Sequence, residues 1–563
     1  MDVLISASLS AVEWLAILVL PGPFRLSYSY SHSYSPTKTV LILFLLQYAV
    51  IKFYRIFLYH RYFSPFRHLP GPTDNHFFFG QAINLVKAKS PPELYVKWMK
   101  DFPDAPIIRY LTFANTEVLV CNSLNSFRDV LQTNCYAFHK PDRWRRMMVE
   151  ITGKGVLSLE DDEHRQHRKM LTGAFSTFNV KKLEPVFQSK TKELGDILDL
   201  TISQNNGGYG VIDCTDVFSK ATLDVIGVTV LGVELANLKS VSIGDKPSSQ
   251  SKQVNSGKEY TFHDAYEIIF AQSFIGKILF FANAFVPTRW LPLEANREFA
   301  FATSWLRDVL GHLIRERYSL VNEARRSGKY ETLKRDSRDL LSYIIEESMP
   351  GGPAEGIAED NFLGHLLQFM AAGHATSADT LTWSVYMMAT NPDIQEKLRD
   401  EIAQLIATRP ALNFSDIDSL SYLNNFLKEV LRLYAPSTSH HRQAGKDMMI
   451  DGIFVPKGTT FDVIPAMPML NPSIWGEDAE VADPTRWDRL TPDQASPYAF
   501  ESFSNGPRMC IGKSFAMMEI KIILVELVRR FRFIPVDKPF TIENPGFALR
   551  PKGLEVRLER VDM

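Results

Sequence analysis

The spacing of apolar and polar positions along the 563-residue chain predicts helices over much of its length. Apolar residues recur every three to four positions in six long segments, which is the period of a helix with one buried face. These segments cover residues 183–200, 299–327, 358–389, 391–407, 416–434 and 513–531. Short β-like runs flank them at residues 107–111, 116–121, 459–463 and 554–558. The pattern predicts a mainly α fold with small β-sheets, in the α+β class.

Two apolar stretches open the chain, at residues 3–20 and 40–59. The second is long enough to span a membrane if Lys52 and Arg55 extend to the headgroups. Basic residues lie in and just after it, which predicts a cytosolic location for the following chain. We therefore predict a membrane-anchoring region at residues 1–59, with the transmembrane helix at 40–59. A second membrane segment and a signal peptide both stay open for residues 3–20, although the basic leader of a signal peptide is missing.

The anchor is followed by a Pro-rich stretch at residues 60–72, which we interpret as a hinge. A buried core helix is the alternative for residues 40–59, and their position before this hinge favours the membrane. From residue 73 to 563 we find no internal repeat, so the pattern predicts one large domain. Residues 241–259 are rich in Ser, Lys, Gln and Gly and are predicted to form a surface loop.

The composition narrows the classes of function. The formal net charge is −2, which gives no electrostatic footprint for nucleic acid. The 4 cysteines are too few for a disulfide framework in a chain of this length. None lies in a C-x-x-C pair, which argues against a zinc site. The body of the protein is therefore expected in a reducing, cytosol-like compartment.

The segment 503–512, FSNGPRMCIG, has the residue types of a cofactor site. Gly506 begins a tight turn before Cys510, and Gly512 lets the backbone pass close to a flat group. A cysteine at a helix N-terminus is stabilised as a thiolate by the helix dipole and the free N–H groups. Arg508 can offer a charge-assisted hydrogen bond to an anion on the same ligand. Haem, with Cys510 as the axial thiolate ligand of its iron, satisfies these requirements.

This segment resembles the haem-binding loop of the cytochrome P450 monooxygenases at Phe503, Gly506, Arg508, Cys510 and Gly512. The resemblance extends over nearly all of the chain after the anchor. It implies the cytochrome P450 fold, with a single large helical haem domain (residues 73–563) behind an N-terminal membrane anchor. It also implies heme b as the cofactor and insertion of one oxygen atom from O2 into a substrate.

A second family feature is the sequence Glu429-Val430-Leu431-Arg432. Its two charges are three residues apart on one helix face, close enough to pair. The same spacing at Glu396/Arg399 and elsewhere is interpreted as solvated helix pairs. The resemblance implies that Glu429, Arg432 and Arg486 form a buried ion network, which holds the cysteine loop against the core.

The long segment 358–389 contains Gly373 and Thr376, which resemble the oxygen-binding groove of the family. The Thr376 hydroxyl can bond to the carbonyl four residues earlier. The resemblance assigns Thr376 the role of a proton donor during oxygen activation. The acidic residue usual before this threonine is Ala375 here. Proton delivery must then depend on water, on Asp379 or on His374, although His374 points away from Thr376.

Three further residues resemble groups that contact a haem propionate. His164 and Arg168 are four residues apart and share a helix face, so that both can reach one carboxylate. A polar helix surface is the alternative interpretation of this pair. Arg442 resembles a further propionate contact. The adjacent His440 and His441 are not predicted to bind a metal, because neighbours on a strand point to opposite faces.

The resemblance predicts a membrane-anchored monooxygenase of the endoplasmic reticulum, with its catalytic domain in the cytosol. No G-x-G-x-x-G segment follows a strand, so electrons must come from a partner, which the resemblance identifies as an NADPH–cytochrome P450 reductase. Residues 151–157, 369–376, 437–440 and 546–549 are expected to line the cavity for a lipophilic substrate, such as a terpenoid or another secondary metabolite. A haem-thiolate isomerase or dehydratase, which needs no external electrons, and a non-catalytic haem-binding protein stay open as alternatives.

Overall fold

The computed structural model describes residues 36–205, 208–239, 253–255, 258–260, 262–270, 273–283, 286–328, 339–350, 359–409 and 411–561. The first apolar stretch, residues 3–20, lies outside the described residues. The predicted surface loop at 241–259 is described only at its C-terminal end. There, Gln253–Asn255 and Lys258–Tyr260 pair as antiparallel strands, which the polar composition did not predict.

Helices dominate the described part of the chain. In chain order the α-helices are α1 (Pro36–Phe53), α2 (Ala82–Lys87), α3 (Glu93–Asp101), α4 (Leu124–Arg128), α5 (Asp142–Thr152), α6 (Asp161–Ala174), α7 (Thr177–Lys181), α8 (Glu184–Ser203), α9 (Cys214–Ile226), α10 (Phe262–Phe270), α11 (Phe274–Asn283), α12 (Glu294–Arg326), α13 (Leu340–Ser348), α14 (Glu359–Thr390), α15 (Pro392–Thr408), α16 (Phe414–Asp418), α17 (Ser421–Leu433), α18 (Ala466–Met469), α19 (Pro472–Trp475) and α20 (Lys513–Arg530).

The strands are short. They are β1 (Ile107–Leu111), β2 (Glu117–Cys121), β3 (Phe138–His139), β4 (Tyr209–Asp213), β5 (Gln253–Asn255), β6 (Lys258–Tyr260), β7 (His440–Ala444), β8 (Met448–Ile450), β9 (Ile453–Val455), β10 (Thr460–Val463), β11 (Phe531–Pro535), β12 (Thr541–Ile542), β13 (Pro551–Lys552) and β14 (Glu555–Arg560). The largest sheet has the order β1-β2-β10-β7-β3, a second has the order β11-β14-β4, and the others are two-stranded. Mainly helical structure with small sheets confirms the predicted fold class.

Most predicted elements agree with the structure to within a few residues, but the predicted helix 416–434 is wrong. It is two helices, α16 and α17, because Leu420 has an extended backbone with ψ 107°. The carboxylate of Glu401, on α15, accepts the N–H groups of Tyr422 and Leu423 at 2.8 and 2.9 Å. A side chain from another helix thus satisfies the free N–H groups that begin α17. The periodicity of residues 416–434 could not predict this contact, because Glu401 lies outside the segment.

The second apolar stretch forms a long helix on the outside of the protein. Helix α1 continues as a π-helical segment, Tyr54–Phe63. In the described part of the chain, one helix, Val40–Phe63, is long enough and apolar enough to cross a membrane. None of it is buried. The end of this helix contacts the large sheet: the Arg109 side chain donates to the carbonyl oxygen of His60 at 2.7 Å, and Asn115 donates to that of Ile56 at 3.0 Å.

Helix α14 lies at the centre of the largest hydrophobic cluster and is packed by α9, α12, α17 and α20. Two glycines allow close approach along it. A Cβ on Gly364 would lie 1.9 Å from the carbonyl oxygen of Lys154, and a Cβ on Gly373 would lie 2.8 Å from Cδ1 of Ile226 on α9. A second cluster surrounds the five-stranded sheet. The cysteine loop lies between these two parts, immediately before α20.

Candidate functional site: the cysteine loop and its surroundings

The cysteine loop is held in one conformation by its backbone. Gly506 has φ +74°, and an added Cβ there would lie 2.1 Å from the carbonyl oxygen of Leu131. The turn Gly506–Arg508 follows, and the N–H of Cys510 donates to the carbonyl oxygen of Phe503 at 2.8 Å. The loop therefore closes on itself and leads directly into α20, as the spacing of these residues predicted.

The sulfur of Cys510 faces hydrogen-bond donors at the start of α20. Burial raises the pKa of the Cys510 thiol, while the N–H groups of Gly512 and Lys513 and the charge of Arg168 oppose that rise. The side chain nevertheless keeps accessible surface. A Cβ on Gly512 would meet no atom closer than Sγ of Cys510, at 4.0 Å. The sulfur and the glycine thus border open space, which a flat ligand of the thiolate can occupy.

Basic side chains gather beside this loop. The pKa of Lys140 is lowered to about 7 by burial and by the charges of Arg508 and Arg442, against the opposing effect of Glu160. Burial and Arg508 also lower the pKa of Arg442 to about 10. The pKa of His164 falls to about 3, because it is buried close to Arg508, Lys140 and Arg168. His164 is thus neutral at physiological pH and Lys140 is only partly protonated, so the positive charge comes mainly from Arg508, Arg442 and Arg168.

One carboxylate, Glu160, is placed among these cations. It accepts from Nη2 of Arg508 at 2.5 Å, and it accepts from the backbone N–H and Nζ of Lys140 at 2.8 and 3.3 Å. Nε and Nη1 of Arg508 are buried without a hydrogen-bond partner in the described residues, as is Nε2 of His440. Unpaired donors and excess positive charge fit a ligand that carries carboxylates, and haem carries two propionates.

Sequence reasoning missed Lys140, Glu160 and Tyr136 in this group. The centre of the Tyr136 ring lies 3.9 Å from the guanidinium carbon of Arg165 and 5.2 Å from that of Arg508. Its hydroxyl lies 3.3 Å from Nδ1 of His164. No pattern in the sequence marks these residues, since Glu160 and Arg508 are 348 positions apart and meet only in the folded chain.

The structure brings Glu429, Arg432 and Arg486 together inside the protein. Arg432 donates to both carboxylate oxygens of Glu429, at 2.9 and 2.8 Å, and both side chains are fully buried. Nε of Arg486 lies 3.5 Å from the same carboxylate. The structure contains the predicted ion pairs. In the pair Glu396/Arg399, which was interpreted as solvated, Glu396 is 47% exposed but Arg399 is only 7% exposed, so that interpretation is wrong for the arginine.

The ion network is connected to the segments on either side of it. Arg432 also donates to the carbonyl oxygens of Met469 and Ala479, at 2.8 and 2.5 Å. Close to the cysteine loop, Oγ of Ser502 donates to the carbonyl oxygen of Leu431 on α17 at 2.6 Å. The chain before Cys510 is therefore bonded to the helix that contains Glu429 and Arg432.

On α14 the Thr376 hydroxyl donates to the carbonyl oxygen of Ala372 at 2.6 Å, which confirms the predicted bond within the helix. Both residues keep accessible surface on that side of α14. The open side of Gly373 is directed at Ile226 on α9. The absence of a side chain at Gly373 therefore has a packing reason in addition to the role that the resemblance implies.

His374 and Asp379 are the two side chains that could replace the acid missing at position 375, and their surroundings in the structure differ. The ring of His374 lies 2.7 Å from Oγ of Ser219 and 3.0 Å from the hydroxyl of Tyr266, so it faces α9 and α10 rather than Thr376. Asp379 is fully buried, and neither of its carboxylate oxygens has a hydrogen-bond partner in the described residues. Burial raises the pKa of Asp379 to about 7, against the charge of Arg550 at 3.6 Å.

The two adjacent histidines on β7 have different surroundings. Nδ1 of His441 lies 2.6 Å from Oδ1 of Asp462 on β10. His440 is on the opposite face, near Arg442. Within the described ranges, no cluster of three or more His, Cys, Asp or Glu residues could hold a metal ion.

Comparisons with known proteins agree with this geometry. A family model described as Cytochrome P450 matches residues 69–558. Cytochrome P450 monooxygenase sphH of Aspergillus fumigatus is 30% identical over 516 residues, which cover 89% of each chain. Cytochrome P450 monooxygenase 128 of Postia placenta is 29% identical over 520 residues, covering 88% of this chain and 91% of the relative.

The fold and these relatives define the class of protein. It is a mainly helical enzyme with a cysteine loop between its helical and sheet-containing parts. The chain belongs to the cytochrome P450 family. It is therefore a monooxygenase of the oxidoreductase class, and the cofactor of its family is haem with a cysteine thiolate ligand.

Proposed function

We propose that Cys510 is the axial ligand of the haem iron and that the protein inserts one oxygen atom from O2 into a lipophilic small molecule. The observation that carries this proposal is the Cys510 sulfur, bordered by open space and facing two backbone N–H groups at the start of α20. When bound, haem with a thiolate ligand supplies the activation of O2 for this chemistry. Phe503, Gly506, Arg508 and the other loop residues hold the sulfur in place.

The basic group beside the loop binds the propionates in this proposal. Arg508 offers its unpaired Nε and Nη1 while Nη2 stays bonded to Glu160. Arg168 and Arg442 add positive charge from two other parts of the chain, and Lys140 adds a partial charge. His164 is neutral and serves as a hydrogen-bonding group rather than a cation. The arrangement orients the cofactor edge and favours a cofactor with negative groups there.

Protons reach the reaction through the hydroxyl of Thr376 in this proposal. The missing acid at Ala375 is replaced by Asp379, whose raised pKa lets it hold a proton near neutral pH. Asp379 is three residues after Thr376 on α14, on a neighbouring part of the helix surface. The engaged ring of His374 makes it an unsuitable proton source, because both of its nitrogens face other helices.

The substrate class follows from the segments expected to line the cavity. Two of them meet in the structure: Ser437 and Ala548 form a β-bridge, and the N–H of Leu549 donates to the carbonyl oxygen of Pro436 at 2.9 Å. Their apolar and small polar residues suit a lipophilic compound. We propose a terpenoid or another secondary metabolite as the substrate.

Electrons come from an NADPH–cytochrome P450 reductase that docks near the Cys510 side of the protein. The catalytic domain faces the cytosol from the endoplasmic reticulum membrane, anchored by the helix at Val40–Phe63. The exposed apolar surface of that helix and the basic residues near its end support this location. Residues 60–72 then connect the anchor to the domain at 73–563.

The test combines a spectrum with turnover. Wild-type protein, reduced and treated with carbon monoxide, is expected to give the red-shifted Soret band of a thiolate-ligated haem, and Cys510→Ser is expected to lose it. With reductase and NADPH, a panel of terpenoids is expected to give products that contain one added oxygen atom. If both proteins keep the same spectrum, the assignment of Cys510 is wrong.

A second function is favoured by one observation, the alanine at position 375 where the family usually has an acid. A haem-thiolate isomerase or dehydratase would rearrange its substrate without external electrons. The same compounds incubated without NADPH and reductase distinguish the two. Product formation that needs neither component would favour the isomerase or dehydratase.

A further inference from the structure

The chain between α5 and α6 lies directly against the backbone of α14. We call residues 153–159 the docked loop. A Cβ on Gly364 of α14 would lie 1.9 Å from the carbonyl oxygen of Lys154, and a Cβ on Gly155 would lie 2.6 Å from Oε1 of Gln368. Larger residues at these glycines would separate the two segments. The close approach therefore depends on glycines from both sides of the contact.

Two side chains of α14 accept hydrogen bonds from the backbone of the docked loop. The N–H of Val156 donates to Nδ1 of His365 at 3.2 Å, and the N–H of Leu157 donates to Oε1 of Gln368 at 2.8 Å. His365 and Gln368 are 0% and 1% exposed. Both acceptor side chains are thus shielded from water, and the N–H of the buried Val156 would be left unsatisfied if it lost its acceptor.

His365 can accept the N–H of Val156 at Nδ1 only while its imidazole ring is neutral. Because Nδ1 accepts from Val156, the ring proton is on Nε2, which lies 2.8 Å from Nδ1 of His167 on α6. Burial, with a further effect of His167, lowers the pKa of His365 to about 3. The ring therefore stays neutral at physiological pH, and α6, α14 and the docked loop are joined through one hydrogen-bonded chain.

The docked loop leaves one side chain accessible while its backbone is fixed. Leu157 is 41% exposed although its N–H is bonded to buried Gln368. At the other end of the loop, Nε2 of Gln368 lies 3.4 Å from both Oγ1 of Thr152 and the carbonyl oxygen of Gly153. A single glutamine thus spans the loop and determines where the Leu157 side chain projects.

We propose that His365 and Gln368 are positioning residues, which hold the docked loop as a wall of the substrate cavity and so set the size of ligand that is admitted. This inference rests on the proposed function in one respect, the expectation that residues 151–157 line that cavity. Neither residue is proposed to touch the cofactor or the reacting atoms.

Hydrogen exchange of the full-length protein tests the docking. Gln368→Met keeps the size of the side chain but removes the acceptor for Leu157, and amide exchange in residues 153–159 is expected to rise about tenfold. The matched control is Gln395→Met on α15. The buried Gln395 accepts the N–H of Phe533 at 2.8 Å in the same way, but on another face of the protein. No rise for Gln368→Met, or an equal rise with the control, would overturn the proposal.

Ligand size is tested with the holoenzyme and two iron-binding probes, imidazole and 4-phenylimidazole. A loosened wall is expected to favour the larger probe, so the ratio of the two spectral dissociation constants should shift at least about threefold in Gln368→Met. It should stay at the wild-type value in Gln395→Met. An unchanged ratio in Gln368→Met overturns the role in ligand size.

A second variant is used if Gln368→Met does not fold. His167→Phe removes the ring that bonds to Nε2 of His365 and leaves both loop acceptors in place. We expect faster amide hydrogen exchange at Val156, with no change at Phe533. Unchanged exchange at Val156 contradicts the hydrogen-bonded chain. The exchange experiments do not depend on thiolate ligation, whereas a wild-type protein without the red-shifted Soret band would contradict the proposed function.

Discussion

Two glycines of the cysteine loop serve different purposes at the scale of the residue. Gly506 has a positive φ and packs against the carbonyl oxygen of Leu131, whereas an added Cβ at Gly512 would face only the sulfur of Cys510. The first glycine, Gly506, is required by the backbone conformation and the packing of the loop. The second leaves space beside the sulfur, where the cofactor is proposed to bind.

Gly506→Ala is expected to abolish most haem incorporation, because its methyl group would lie 2.1 Å from the Leu131 carbonyl oxygen in a backbone conformation that costs an L-residue about 1–2 kcal/mol. Haem content per protein is the measurement. Gly452→Ala is the matched control, since Gly452 has φ +76° but nothing within 4 Å of an added Cβ. Equal haem content in both variants would contradict the prediction.

Thr376→Ala is expected to reduce product by about tenfold or more relative to NADPH consumed, with a rise in hydrogen peroxide, because a positioned proton donor is lost. Product, NADPH and peroxide are measured together. Thr382→Val is the control: its hydroxyl makes the same kind of bond, to the carbonyl oxygen of Ala378 at 2.8 Å, but it is fully buried. Unchanged coupling in Thr376→Ala would refute its role.

At the scale of the element, the ion network joins α17 to the chain that leads to the cysteine loop. Besides Arg432, the Glu429 carboxylate accepts the N–H of Asp483 and the indole N–H of Trp487, both at 3.0 Å. One buried carboxylate is thus shared by a helix and by the segment after α19. Its charge is balanced only while these partners stay in place.

Glu429→Gln is expected to lower the free energy of unfolding by about 3–5 kcal/mol, because Arg432 would keep an uncompensated buried charge. Urea unfolding is the measurement. Asp142→Asn removes a carboxylate from another helical pair three residues apart, but Asp142 and its partner Arg145 are 79% and 43% exposed. Its loss is expected to cost about 1 kcal/mol or less. Similar losses in the two variants would show that the burial of the network has no special effect.

At the scale of the whole molecule, the apolar helix that ends at Phe63 is attached to the large sheet. Arg109 and Asn115 bond to its carbonyl oxygens, and the N–H of Arg109 donates to the carbonyl oxygen of Pro70 at 2.9 Å. The proposed anchor therefore meets the body at a defined place on β1 and the turn after it. This attachment orients the body relative to the proposed anchor.

Removal of residues 1–63 is expected to release the protein from membranes washed with alkaline carbonate, because the helix at Val40–Phe63 would be lost. Removal of residues 1–35 alone should leave it bound. Sedimentation and immunoblotting measure both. Retention of the shorter protein in the carbonate-resistant fraction would contradict an anchor at Val40–Phe63.

The sequence was sufficient for features that depend on neighbouring residues. Periodicity predicted α14 and α20 to within one residue at each end, and the spacing around Cys510 predicted a closed loop before a helix. Three residues make nearly one helical turn, so Glu429 and Arg432 were within reach of each other. Their burial with Arg486 was implied by the family resemblance and not by this spacing. In each case the interaction that determines the local structure is between residues close in sequence, so that neighbouring positions are enough to predict it.

Only the tertiary structure decided the features that join distant segments. The cluster of Lys140, Glu160 and Arg508, the Glu401 contact that starts α17, and the docking of residues 153–159 on α14 all depend on side chains far apart in sequence. Burial and hydrogen bonding determine which of these groups become neighbours and which protons they hold. Those quantities are properties of the packed chain, because a side chain's solvation and partners do not exist until distant segments meet.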